Sequence, residues 1–416
     1  MDKKLFVYLY FLALVFAQVT AILALPIQGL TISNTILLVL FVALIFSFGL
    51  NSEKYLLLIF IYIYLFLYLA SQLTILIADS SSSPLVPMVD NTGLIEAFKK
   101  SHFTQFLYLI PGLTLFLLTR RYWSPSAINY FFVGQALIAS IGILEVVYNS
   151  ATGNTFAFLI NRQFDSGEGS GSLVQYSFGM LRLKSLTGEP SMYAYAVLPG
   201  FILALGCRRF FLAGLIALSL LMTYTSTFFI GIFAYFFIIS VRLTFQTLKK
   251  SAFDKRFFTL LFFDFLLVFV FVLFFDYFNN YFIDPLVKKI TMQNVSGQQR
   301  LSWAIEGLDF IFSSKYILFG VGFGTFRSTD MLTTLLLNIG LIGTALWYLF
   351  LIFSIRESYN KKMYSVGDAI FISLITSTIS VPEFSYLSLW FLLGAAFSKN
   401  ALHGSRYEKM VSESRS

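Results

Sequence analysis

The run "YLLLIFIYIYLFLYLA", Tyr55–Ala70, carries no charge and no alternation of apolar with polar residues. Such a run has few places to go. In lipid every backbone N–H and C=O must be paired internally, which leaves helices and closed barrels. A barrel strand alternates in polarity, and this run does not. About 20 apolar residues span the roughly 30 Å hydrocarbon core of a bilayer. Runs of this kind recur at about 5–25, 32–50, 55–77, 103–119, 128–147, 191–206, 257–278 and 331–355. The chain is 57% hydrophobic and 12% charged, with a mean hydropathy of +0.78. The reading is an all-α, polytopic transmembrane bundle forming one integral membrane domain over 1–416.

Two runs are too long for one crossing. Phe210–Val241 would extend roughly 48 Å as a single helix. It is flanked by Arg208 and Arg209 on one side and by Arg242, Lys249 and Lys250 on the other. A single crossing would strand one basic group outside, so the polar patch "TYTST", Thr223–Thr227, is predicted to break it. Ala369–Phe397 has the same form, with "VPEF", Val381–Phe384, at its middle. Splitting both gives about twelve helices with both termini cytoplasmic. Lys and Arg are then about four times denser in the cytoplasmic pieces than outside, as the positive-inside rule requires. The net charge of +8 is thereby explained without nucleic acid. The long loops, at about 78–102, 148–190 and 279–330, fall outside, and a tail at about 399–416 stays inside. Met1–Lys4 and the full-length apolar stretch after it read as a first membrane helix, not a cleaved leader.

The chemistry-bearing residues concentrate in those external loops. In "RLKSLTGEPSMYAYAVLPG", Arg182 and Lys184 precede Glu189 and Pro190. Proline suits the first helical turn, and a carboxylate beside it is favoured by the helix dipole. Glu189 thus has two readings, a general base or simply a helix start. Arg182 and Lys184 either bind an anionic group or contact lipid headgroups. In "SGQQRLSWAIEGLDFIF", Ser296 and Gln299 fit a capping box. Leu301, Ile305, Leu308 and Phe312 come after them at helical spacing, predicting an amphipathic helix on the outer face. Arg300 opens it, where an arginine gains nothing from the dipole but is well suited to phosphate oxygens. "GVGFGTF", with Gly320, Gly322 and Gly324, is either an anion nest or a plain turn. Asp330 and Glu383 are the other external carboxylates that could act, Glu383 within a Pro-Glu turn that is otherwise just a turn. The single Cys207 excludes a cysteine-built metal site, and the two histidines, His102 and His403, argue against a histidine-based zinc site. No cofactor is expected.

These motifs occur in an order that resembles the bacterial O-antigen and capsular polysaccharide polymerases (Wzy type). "RLKSLTGEPSMYAYAVLPGF" comes first, then the pair broken at "TYTST", "GQQRLSWAIEGLDFI" and "ILFGVGFGTF…LLLNIGLIGTALWYLFLIF". The resemblance covers roughly residues 120–400. It implies a GT-C-like glycosyltransferase of the bacterial inner membrane with its active site facing the periplasm. Its substrates would be undecaprenyl-pyrophosphate-linked oligosaccharides, the growing glycan passing to a new lipid-linked unit. It further implies membrane lipids and a chain-length-regulating polysaccharide co-polymerase as partners. Arg182 and Arg300 match the family's pyrophosphate-holding arginines, Glu189 is the candidate base, and Lys184, Gly322, Asp330 and Glu383 are candidate substrate contacts. The related O-antigen ligases carry a histidine after the glycine-rich turn; here the region reads "FRSTDMLTTLLL". A flippase for lipid-linked oligosaccharides would need charges deep in its helices, where this chain has mainly Asp264. The ligase, another lipid-linked-glycan transferase and the flippase remain the alternatives.

Overall fold

A computed structural model of the chain describes residues 2–19, 31–46, 51–78, 86–89, 94–154, 175–177, 179–250 and 295–398. Side chains at 51, 243, 245–250 and 295–300 are not among those described. The expected helix at 257–278, residue Asp264, the "DSGEGSGS" stretch and the tail lie outside these residues.

Twelve helices are present among the described residues: α1 (Lys3–Val15), α2 (Ile32–Phe46), α3 (Asn51–Ile77), α4 (Lys100–Tyr122), α5 (Pro125–Thr152), α6 (Pro190–Gly206), α7 (Phe210–Leu221), α8 (Ser226–Lys250), α9 (Val295–Ser313), α10 (Met331–Asn360), α11 (Tyr364–Ser380) and α12 (Leu387–Ala396). Four of them, α3, α4, α5 and α10, are long and apolar enough to cross a membrane. The small exception to an all-helical chain is a hairpin of β1 (Tyr176–Ser177) and β2 (Met180–Leu181), with Tyr176 opposite Leu181. Helix α3 turns a row of large apolar side chains outward, including Leu58, Tyr62, Phe66, Leu69 and Leu73. Exposed apolar area of this extent marks a surface that does not face water.

The side-chain contacts define two ends. At one end Arg120 of α4 pairs with the buried Glu53 of α3 at 3.3 Å. Arg209 donates to Asn129 Oδ1 at 2.6 Å, and Arg242 pairs with Asp368. At the other end Gln72 Oε1 accepts from the Phe98 N–H at 2.6 Å. There Thr227 meets Ser380, Oγ1 to Oγ, at 2.9 Å. Arg209 and Arg242 flank the long run Phe210–Val241, and both lie at the first end. The run breaks after Leu221, at Met222–Thr225, at the second end. The "TYTST" split therefore produces two antiparallel pieces. The second overlong run also breaks where expected, between Ser380 and Leu387.

Most helices pack around one core in which α6 and α12 are almost wholly buried and one face of α11 is buried. A second, smaller core lies at the loop-rich end, where Ile311, Tyr316, Val321 and Phe326 meet Leu336 and Leu337 of α10. Helix α9 forms part of its cover, with Leu308 of the predicted apolar spacing packed against it beside Trp303 and Phe310. Ile305 and Phe312 point outward, while Gly307 and Ile311 are buried. The cause is Gly307: a Cβ there would sit 2.8 Å from Thr333 and 3.1 Å from Leu337. The bare position permits the close approach, and the helix turns to use it. It begins at Val295, so Ser296 falls in its first turn and not ahead of it.

Candidate functional site

The loop-rich end is built on an interruption of α10. Gly340 has φ 65 and ψ −171, inside what would otherwise be one helix. The break frees the N–H groups of Leu341 and Ile342 and the carbonyls of Leu337 and Asn338. Segment 317–322 takes up all four. Leu341 and Ile342 donate to the carbonyls of Ile317 and Leu318 at 2.8 and 3.2 Å. Val321 and Gly322 donate to those of Leu337 and Asn338 at 2.9 and 3.0 Å. Backbone polar groups away from water need such partners. The glycine-rich motif is thus a brace for a broken helix.

The same brace fixes residues 325–327. The Asn338 side chain accepts from the N–H groups of Thr325 and Phe326 at 3.1 and 2.8 Å and donates to the Phe326 carbonyl at 2.8 Å. Phe326 bridges to Met88, and the Arg327 N–H donates to the Pro87 carbonyl at 2.9 Å. Gly322 sits against His102, which contacts Thr325 Oγ1 through Nε2 at 2.9 Å. A histidine from α4 therefore packs on the glycine-rich turn. It is buried, and it serves to hold the turn.

Arg327 is the residue that reading by spacing missed. Its guanidinium, half-buried, forms an ion pair with Glu383 on the segment between α11 and α12. Glu383 Oε2 also accepts from Ser385 Oγ at 3.4 Å. The attraction of Glu383 holds Arg327 protonated beyond the usual arginine range against the opposing effect of burial, and Tyr386 and Glu189 add to it. The segment carrying Glu383 is itself pinned. Trp390 Nε1 donates to the Phe384 carbonyl at 2.8 Å, and the Phe384 ring lies 4.7 Å from that of Phe323.

Glu189 is at the N-cap of α6, but its side chain makes no cap hydrogen bond. Its main-chain carbonyl accepts from the Tyr193 N–H at 3.0 Å, and Pro190 occupies the first helical position. The helix start is therefore met by backbone and proline. The carboxylate interacts with Ser191 Oγ at 3.4 Å and, through charge, with Arg327 and Lys184. Lys184 is buried. Burial pushes its pKa down, against the pull of Glu145 and Glu189. Glu145, buried on α5, was given no role by spacing alone.

Arg182 directs Nε to the Thr223 carbonyl at 3.1 Å, Nη1 to Gln175 Oε1 at 2.6 Å and Nη2 to the Tyr224 carbonyl at 3.4 Å. It ties the small hairpin to the α7–α8 turn. Asp330 caps α10, with Oδ1 accepting from the Thr333 N–H at 2.7 Å, and burial raises its pKa while these hydrogen bonds lower it. Arg300 lies in the first turns of α9. Among the described residues, no three His, Cys, Asp or Glu side chains are grouped to hold a metal ion.

The structure thus brings Glu189, Glu383, Arg327 and Lys184 into one charged cluster at the loop-rich end. No protein-family model matches this chain, and no curated protein matches it.

Proposed function

We propose that the chain is a membrane glycosyltransferase that polymerises undecaprenyl-pyrophosphate-linked oligosaccharides on the outer face of the bacterial inner membrane. The observation that carries this reading is the Glu189 carboxylate. It sits at a helix N-terminus without capping it, in one charged cluster with the half-buried Arg327–Glu383 pair. A positioned carboxylate is what a sugar hydroxyl needs as its proton acceptor. Fixed cations are what a departing pyrophosphate needs. The order of motifs that resembles the polymerases agrees with this, as does the apolar surface of α3. In the proposed step the acceptor hydroxyl oxygen bonds to the anomeric carbon of the donor glycan. The bond from that carbon to the pyrophosphate oxygen breaks, and the hydroxyl proton passes to Glu189. About twelve crossings and a GT-C-like arrangement belong to the same proposal.

The test uses a strain lacking the gene, complemented with wild type or Glu189→Gln. Loss of the gene should leave lipid-attached single repeat units in place of a glycan ladder. Glu189→Gln should fall about 100-fold or more in polymer formation, with protein level in the membrane unchanged. Polymer that persists on the carrier but fails to reach its final acceptor would point to a ligase. A normal ladder from Glu189→Gln would remove Glu189 as the base.

A further inference from the structure

We propose that Arg327 binds the pyrophosphate of the lipid-linked donor, and that Glu383 is a resident counter-charge which the arriving anion displaces. This rests on the glycosyltransferase reading.

The first support is how firmly the arginine is mounted. Residues 325–328 are tied on both flanks, to Asn338, to Pro87 and, through the Ser328 N–H, to Thr334 Oγ1 at 3.1 Å. The backbone is held while the side chain stays partly exposed. The second is how little of the guanidinium is committed. Among the described residues it bonds through Nη2 to one oxygen of Glu383. A guanidinium offers five N–H donors in a planar fork suited to phosphate oxygens. Arg182, by contrast, directs Nε, Nη1 and Nη2 to neighbouring protein oxygens. The third is the local charge. Two carboxylates, Glu189 and Glu383, act on one guanidinium. A pyrophosphate brings at least as much negative charge as the carboxylate it replaces. It bridges to the fork through several oxygens where Glu383 uses one.

Glu383 is a positioning residue in this scheme: it holds Arg327 in place and yields it to the donor.

A purely structural ion pair and a displaceable one differ in sign. The purified full chain in detergent is titrated with undecaprenyl pyrophosphate and, separately, with inorganic pyrophosphate, and melting is monitored in parallel. Arg327→Ala should weaken binding of the lipid by about tenfold or more, as loss of a charged hydrogen bond implies. Arg327→Lys should recover only part of it. Glu383→Gln should tighten binding, because it removes the competitor while keeping shape. If both variants weaken binding together and both melt early, the pair is only structural and the proposal is overturned. Lipid binding that ignores Arg327→Ala overturns it too, and leaves the glycosyltransferase reading standing. Arg327-dependent binding of inorganic pyrophosphate with none of the lipid overturns the lipid donor while retaining the anion site. No binding of either probe overturns both.

Discussion

Leu337 and Leu341 stand four positions apart in α10, the spacing of a helical hydrogen bond, yet they do not bond to each other. The Leu337 carbonyl accepts from Val321 and the Leu341 N–H donates to Ile317. A segment of turns has been inserted into the ladder of a helix. The charged cluster at the loop-rich end depends on this insertion, because it sets the height and direction of the chain that leads to Arg327.

Gly340 is the hinge of that insertion. Its φ of 65 and ψ of −171 lie where side chains are essentially not tolerated. A Cβ there would also sit 2.4 Å from backbone atoms of Leu318 and Phe319. Gly340→Ala should therefore cost at least about 1–3 kcal/mol from backbone strain alone, with more from the displaced segment. Thermal unfolding of the purified protein measures it. A variant melting like wild type would mean that the break closes readily into continuous helix.

Asp330 offers a prediction in pH. Its carboxyl is raised above the usual carboxylate range by burial, though its hydrogen bonds lower it in part. The folded state then holds a proton more tightly than the unfolded one. The stability it contributes is present at low pH and is lost as pH rises through the raised value. Asp330→Asn retains an N-cap acceptor, so it should gain on wild type as pH climbs from about 4 and run parallel above that window. Asp330→Ala should lie about 0.5–2 kcal/mol below Asp330→Asn at every pH, the usual cost of an N-cap. Melting curves across pH decide it. A gap between Asn and wild type that widens on acidification to Asn's advantage would reverse the sign and refute the burial effect.

How far the sequence could be read depends on which physical signal each feature leaves. The break at Met222–Thr225 was legible because Arg209 and Arg242 cannot easily sit on opposite sides, and "TYTST" is polar where the chain must turn. The break at Gly340 was not. "LLLNIGLIGTALW" reads as unbroken apolar helix, and only segment 317–322 makes interruption cheaper than continuity. The close packing of α9 was hidden for a related reason. A scan for apolar spacing weighs large side chains such as Leu308, whereas the close approach to α10 depends on the absence of one at Gly307. Glu189, Lys184 and Glu383 were marked as candidates from local cues, and the structure places them in one charged cluster. Arg327 was not marked, since its partner lies 56 positions away and nothing adjacent to it announces a pair.

Arg182 was expected to hold phosphate, and its surroundings allow that expectation to be separated from a second one. The guanidinium reaches the carbonyls of Thr223 and Tyr224 and the Gln175 side chain. Tyr224 has a φ of 49, so the turn it belongs to is not helical. Arg182→Ala would take a donor from two carbonyls and one side chain, at about 0.5–3 kcal/mol for each hydrogen bond. Arg182→Lys should recover little, because a single ammonium cannot span sites that a planar fork reaches together. Gln175→Ala removes one contact and should cost less than either. Melting temperature and undecaprenyl pyrophosphate binding must be measured on the same preparations. A brace lowers the melting temperature in the order Ala, then Lys, then Gln175→Ala, and binding falls only as the fold loosens. A clamp leaves melting unchanged while binding collapses. The hydrogen bonds to the α7–α8 turn lead us to expect the first result, and an unshifted melting temperature for Arg182→Ala would refute it.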